Sequence, residues 1–131
     1  MSTKLVRFAA VAFPVFAILD GAVCLWQPTF LRESMLSLSL PNYMLSILGA
    51  AKILGGAILL LPLPLLWREW AYAGFAVWWV GGILAHVFSG DGFAQFIPLI
   101  LVGSFLALSF LDHRPRRVMR ATSSPTPAPG A

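Results

Sequence analysis

Residues 43–61 read YMLSILGAAKILGGAILLL, and this run decides the fold of the chain. Lys52 is its only charged residue. At a rise of about 1.5 Å per residue, a helix of about 20 residues spans the ~30 Å hydrocarbon core of a bilayer. Lipid offers no partners to backbone amides, so a run of this kind must be helical there. The stretch therefore predicts a transmembrane helix.

Three further apolar runs have the same character. Of the 131 residues, 59% are hydrophobic and only 11% are charged, whereas a soluble domain carries about 25% charged residues. We predict one all-α domain over residues 1–113, a four-helix transmembrane bundle. Its helices are expected at about residues 8–26, 43–66, 70–88 and 93–111. Residues 114–131 are basic and then rich in Pro, Ser and Thr, which predicts a disordered tail.

The segments between the runs also carry signals. Residues 32–41 mix polar and apolar side chains and predict a short helix at the membrane surface. The first run follows Lys4 and Arg7, as the apolar part of a signal peptide would. Asp20 interrupts it, and no clear small-residue cleavage site follows before the bulky residues that precede Pro28, so we expect a retained helix.

The basic residues indicate the orientation in the membrane. If the four helices alternate in direction, Lys4, Arg7, Arg68 and the four arginines after the last helix fall on one side of the bilayer, and Arg32 stands alone on the other. By the positive-inside rule, both termini then face the cytoplasm. The basic run after the last helix is typical of a contact with anionic lipid, so the net charge of +4 does not predict a nucleic-acid partner. That run contains Arg114, Arg116, Arg117 and Arg120.

The chain has a single cysteine, Cys24. It therefore excludes an internal disulfide, a CxxC redox pair and a cysteine-based metal site within one chain. The glycines that could suggest a nucleotide-binding loop lie inside apolar helices, where small residues let helices approach closely. No metal site is predicted.

Three ionisable residues inside the predicted helices are the candidate functional residues. A charge in hydrocarbon costs about 2.5–3.5 kcal/mol on insertion scales, so it usually faces the bundle interior and finds a partner. Asp20 lies ~18 Å from the inner boundary, and Lys52 lies ~13–14 Å from the outer one. These depths nearly coincide in a ~30 Å core. We therefore predict an ion pair between Asp20 and Lys52, with His86 less than two helical turns above it.

Two interpretations of these residues stay open. They could form a structural polar lock that fixes the packing of the helices, or they could line a polar pocket in the outer half of the bundle. In the second case Asp20, Lys52 and His86 would bind a small molecule or relay a proton. His86 alone does not predict a haem ligand.

Three weaker candidate site residues lie near the helix ends. Glu69 and Tyr72 are placed at the inner face. By default, Glu69 complements the dipole at the start of the third helix. Asp91 is expected to act first as a turn residue and as the N-cap of the fourth helix.

Several segments in the second half of the chain are similar to a known family. Residues 47–56 (ILGAAKILGG), 68–75 (REWAYAGF) and 81–86 (GGILAH), followed by Gly90 and Asp91, resemble the DoxX-like family of small bacterial membrane proteins. The resemblance covers about residues 41–111. It implies a four-helix bundle in the bacterial cytoplasmic membrane.

The resemblance implies less about chemistry. Some relatives are named for a quinone-linked oxidising complex, which suggests a quinone as ligand and a redox partner subunit. Others are connected with thiol redox work, for which this chain lacks a cysteine pair. We expect a homo-oligomer that binds a small hydrophobic molecule such as a quinone. The alternatives are a membrane-embedded isomerase or oxidoreductase acting on a lipophilic substrate, and a structural or stress-response protein.

Overall fold

A computed structural model describes the backbone of residues 3–122 and the side chains of residues 3–111. Its helices are α1 (Thr3–Trp26), α2 (Thr29–Ser37), α3 (Tyr43–Leu60), α4 (Leu65–Ser89) and α5 (Phe96–Thr122), and a 3-10 turn, Phe93–Gln95, precedes α5. Over the described residues, four helical segments are long and apolar enough to cross a membrane. The prediction of an all-α, four-helix membrane bundle is confirmed.

The four long helices form a closed ring. α1 packs against α3 and α5, and α4 packs against the same two helices, so α1 and α4 lie on a diagonal. The buried core joins Phe13 and Ala17 of α1 to residues of the other three helices, with the rings of Phe13 and Phe75 in an edge-to-face contact at 5.1 Å. This core lies in the half of the bundle where α3 ends and α4 begins.

Most of the helix surface is apolar and exposed. In the most hydrophobic stretch of each span, between 11% and 33% of the residues are buried within the protein. So large an exposed apolar surface is unfavourable on a small monomer in water, but it is favourable in contact with hydrocarbon. The protein is therefore a membrane protein whose outer surface faces lipid.

The close approach of α1 to α3 depends on glycine. A Cβ atom added to Gly49 would lie 2.7 Å from the carbonyl oxygen of Gly21, and a Cβ on Gly21 would lie 2.8 Å from that of Gly49. The two backbones are thus in direct contact, as small residues permit in membrane helices.

Two helix ends differ from the predicted ones because of proline. α3 ends at Leu60 instead of residue 66, and α4 begins at Leu65 instead of residue 70. Leu61 precedes a proline and is extended, with ψ of 150°, because the proline ring disfavours the helical region for the residue before it. Pro64 then precedes the first residue of α4, a place where its missing amide hydrogen costs little.

The last helix is longer than predicted. α5 continues past the predicted end at residue 111, through the basic run, to Thr122. Residues 114–122, which the sequence suggested were part of a disordered tail, are therefore helical. The arginine, methionine and alanine residues of this stretch favour helix. The remainder of the predicted tail, residues 123–131, lies outside the described residues.

The predicted short helix between the first two spans is α2. It begins at Thr29, earlier than the predicted residue 32, directly after Pro28, and none of its residues is buried. It connects the end of α1 to the start of α3, so it lies at the same end of the bundle as the turn between α4 and α5.

Candidate functional site

Asp20 and Lys52 form the predicted ion pair between α1 and α3. The Nζ atom of Lys52 donates to Oδ2 of Asp20 at 2.5 Å. The Lys52 side chain is 9% exposed and that of Asp20 is 32% exposed. The prediction that these two charges meet at matching depth is confirmed.

The local sequence explains why the pair forms. Asp20 adjoins Gly21, and Lys52 follows Gly49 by one helical turn, so both charges sit beside the backbone contact between α1 and α3. Two further groups surround the ammonium. The Sγ atom of Cys24 lies 3.6 Å from Nζ, and the centre of the Trp78 ring lies 4.2 Å from it. α1, α3 and α4 therefore converge on Lys52.

A cleft of about 560 Å³ opens between α3 and α4, next to this pair. Among residues 3–111, Lys52 is the one charged residue that lines it; the rest of the wall is apolar or aromatic. The wall on α4 includes Trp67, Trp70, Gly74, Phe75 and Trp78. The cleft is thus a largely apolar space with a single charged donor group at one end, as ligand sites commonly are.

The cleft is not where the sequence predicted a pocket. It runs from Lys52, near the middle of α3, towards the connection between α3 and α4, and so occupies the half of the bundle that was predicted to be inner. Neither Asp20 nor His86 is part of its wall. Asp20 contacts Lys52 from the α1 side.

His86 is not brought to the ion pair. It follows Trp78 by eight residues, about 12 Å along α4. Its Nδ1 atom lies 2.5 Å from Oδ2 of Asp91, and its ring packs edge-to-face against Phe96. The three predicted pocket residues therefore occupy two separate places.

Asp91 does not act as the predicted N-cap. Gly92 is the residue that precedes the 3-10 turn before α5, and it makes no side-chain cap bond. The backbone N–H of Asp91 instead donates to the carbonyl of His86, and that of Gly90 donates to Val87, with Gly90 at φ 70°. This is a Schellman motif, and the bond between the Asp91 and His86 side chains reinforces it.

The location of His86 leads to a testable expectation. His86→Phe should lower the free energy of unfolding by about 1 kcal/mol, because Asp91 loses its side-chain partner. The same change should not affect the binding of any ligand in the α3–α4 cleft, because His86 does not line that cleft. Unfolding in mixed detergent micelles and a binding titration would measure the two effects, and a loss of affinity of tenfold or more would contradict the separation of His86 from the site.

The profile of the DoxX-like family matches residues 8–109. The protein belongs to the DoxX-like family. The match includes α1, so it extends beyond the segments in residues 41–111 on which the resemblance was based. No curated protein and no solved structure gave a match.

The weaker candidates of this DoxX-like protein lie outside the cleft. The hydroxyl group of Tyr72 is buried and lies 2.8 Å from Oγ and 3.2 Å from the carbonyl oxygen of Ser109, which ties α4 to α5. Glu69 is the fifth residue of α4, which begins at Leu65, so it lies beyond the first turn, where the helix dipole acts most strongly.

The tryptophan-lined wall of the cleft was not predicted from the sequence. Trp67 and Trp70 are typical of residues at a membrane boundary, and that pattern gave no reason to connect them with Lys52. Their spacing with Gly74 and Trp78 is the missed signal, because positions i, i+3, i+7 and i+11 share one helix face. Over the described residues, no group of three or more His, Cys, Asp or Glu side chains could hold a metal ion.

Proposed function

We propose that this DoxX-like protein binds a small lipophilic molecule in the α3–α4 cleft, with the polar end of the ligand at Lys52. The observation that carries the proposal is the presence of one charged donor at the end of an otherwise apolar, tryptophan-lined space. A ligand could enter from the bilayer, since Trp67 and Trp70 are 57% and 70% exposed.

A quinone is the ligand class that fits best. It combines a flat ring, which stacks well on indole rings, with carbonyl oxygens that accept hydrogen bonds. The ammonium of Lys52 would donate to one carbonyl, and a hydrogen bond from a charged group contributes about 1.5–3 kcal/mol. If the ligand is reduced or oxidised, a partner subunit that carries a redox cofactor must supply or accept the electrons.

The setting we propose is the bacterial cytoplasmic membrane, with both termini in the cytoplasm. Lys4, Arg7 and Arg68 lie at one end of the bundle, where α1 and α4 begin, and Arg32 lies at the other. This distribution supports the orientation through the positive-inside rule. A homo-oligomer would cover part of the apolar surface.

Filling the cleft should weaken ligand binding. Gly74 lines the cleft, and a Cβ added to it would meet no atom within 4 Å, so Gly74→Leu should fold normally while its side chain occupies ligand space. We expect the affinity for decylubiquinone, a short-chain quinone, to fall at least about tenfold, or about 1.4 kcal/mol. Quenching of tryptophan fluorescence measures this, because three of the five tryptophans line the cleft.

Gly81→Leu is the matched control. Gly81 also lies on α4, is exposed and has no atom within 4 Å of an added Cβ, but it does not line the cleft. This variant should bind the quinone as the wild type does. Equal binding by wild type, Gly74→Leu and Gly81→Leu would refute the proposed site, and no binding by the wild type would favour the structural alternative.

A further inference from the structure

The ammonium of Lys52 has three donor hydrogens, and its surroundings on the two sides differ. On the α1 side it contacts the Asp20 carboxylate at 2.5 Å and the Cys24 sulfur at 3.6 Å. On the cleft side its neighbour is the face of the Trp78 ring, with Nζ 4.2 Å from the ring centre. The position on the cleft side is therefore the one that a ligand atom can take.

An acceptor atom from a ligand would improve on the ring contact. A cation–π contact contributes about 0.5–2 kcal/mol, while a hydrogen bond from a charged donor contributes about 1.5–3 kcal/mol. Lys52 has only donors, so a ligand group that itself donates gains nothing from it. The polar end of the ligand should therefore be a hydrogen-bond acceptor.

Charge narrows the ligand class further. Because Asp20 already neutralises Lys52, the pair has no net charge, and no other charged side chain lines the cleft among the residues described. An anion entering the cleft would lose its hydration at a cost of several kcal/mol. It would be attracted by Lys52 and repelled by Asp20 directly behind it, so little would offset that cost.

We propose that the Asp20–Lys52 pair makes the cleft selective for neutral lipophiles that end in a carbonyl oxygen, against lipophilic anions of the same shape. Asp20 is the specificity-determining residue, although it does not line the cleft. It acts by cancelling the charge that would otherwise attract carboxylates. This inference rests on the binding site proposed above.

The test compares 2-undecanone with undecanoate, which share a chain length and differ in charge at the polar end. Each is titrated as a competitor of decylubiquinone, and each is also tested alone by the change in melting temperature it causes. The wild type should bind the ketone at least about tenfold more tightly than the carboxylate. Lys52→Met should lose about tenfold in ketone affinity, since the donor is gone.

Asp20→Asn should reverse the preference. The variant keeps the shape of the carboxylate but leaves the Lys52 charge unpaired, so undecanoate should bind roughly tenfold more tightly than to the wild type and should raise the melting temperature. Glu33→Gln is the control for the loss of one carboxylate, because Glu33 is exposed on α2. It should behave as the wild type.

Two results would overturn the inference while leaving the binding site intact. One is equally tight binding of undecanoate and 2-undecanone to the wild type, with the binding of both abolished by Gly74→Leu. The other is a folded Asp20→Asn that gains no affinity for undecanoate. If Asp20→Asn does not fold, the inference is tested by the affinities of the two probes for the wild type and Lys52→Met. Failure of every probe to bind the wild type would instead refute the proposed function.

Discussion

Asp20→Asn is expected to lower the free energy of unfolding by about 3–5 kcal/mol. The reason is that Lys52 is 9% exposed, and its remaining neighbours, the Cys24 thiol and the Trp78 ring, are weak partners for an ammonium. An unpaired charge in this position is largely shielded from solvent and has lost its counter-ion. Lys52→Met should cost less, because the Asp20 carboxylate left behind is 32% exposed.

The double variant completes a double-mutant cycle with these two single variants. Asp20→Asn combined with Lys52→Met leaves no charge in the bundle at this depth, so it should be more stable than Asp20→Asn alone, and the coupling energy should exceed about 1 kcal/mol. Unfolding in mixed micelles of dodecyl maltoside and SDS, followed by circular dichroism, measures all four proteins. Strictly additive effects of the two changes would show that the pair does not stabilise the protein through mutual contact.

Gly49→Ala is expected to cost about 1–3 kcal/mol, or more, despite the smallness of the change. The new Cβ would lie 2.7 Å from the Gly21 carbonyl oxygen and 2.9 Å from Leu25 Cγ. The oxygen belongs to the backbone of α1, so relief requires the whole helix to move. That movement would also separate Asp20 from Lys52.

Gly74→Ala and Gly81→Ala are the matched controls. Neither added Cβ meets an atom within 4 Å, and alanine is favoured over glycine in a helix by about 1 kcal/mol. Both should be as stable as the wild type or slightly more so in the same unfolding measurement. A Gly49→Ala protein as stable as these controls would contradict the backbone contact between α1 and α3.

The parts of the fold that could be predicted are those that the sequence marks by apolar length or by position along a helix. The spans were predictable because hydrocarbon requires long apolar helices, and the ion pair because depth along two antiparallel helices can be counted. The end of α3 was misplaced at residue 66, although Pro62 and Pro64 marked it. The continuation of α5 to Thr122 was missed because a basic run carries no signal for where a helix stops.

The site could be predicted less well than the fold. Counting residues along a helix gives the depth of a side chain in the membrane but not its direction around the helix axis. It therefore could not show whether His86 faces Lys52 or, as found, the turn that carries Asp91. Asp91, only five residues away in the sequence, is the hydrogen-bond partner of the His86 side chain. The cleft arises from looser packing between α3 and α4 beside glycine and tryptophan residues, and such packing depends on all side chains together.

A neutral lipophilic molecule is expected in the α3–α4 cleft, with its carbonyl oxygen at Lys52. Mass spectrometry of organic extracts from the protein, purified in mild detergent, tests this most directly when wild type, Gly74→Leu and Gly81→Leu are compared. We expect one lipophilic carbonyl compound, such as a quinone, in extracts of the wild type and of Gly81→Leu, and we expect its loss from extracts of Gly74→Leu. The same compound in equal amount in all three, or none in any, would contradict it.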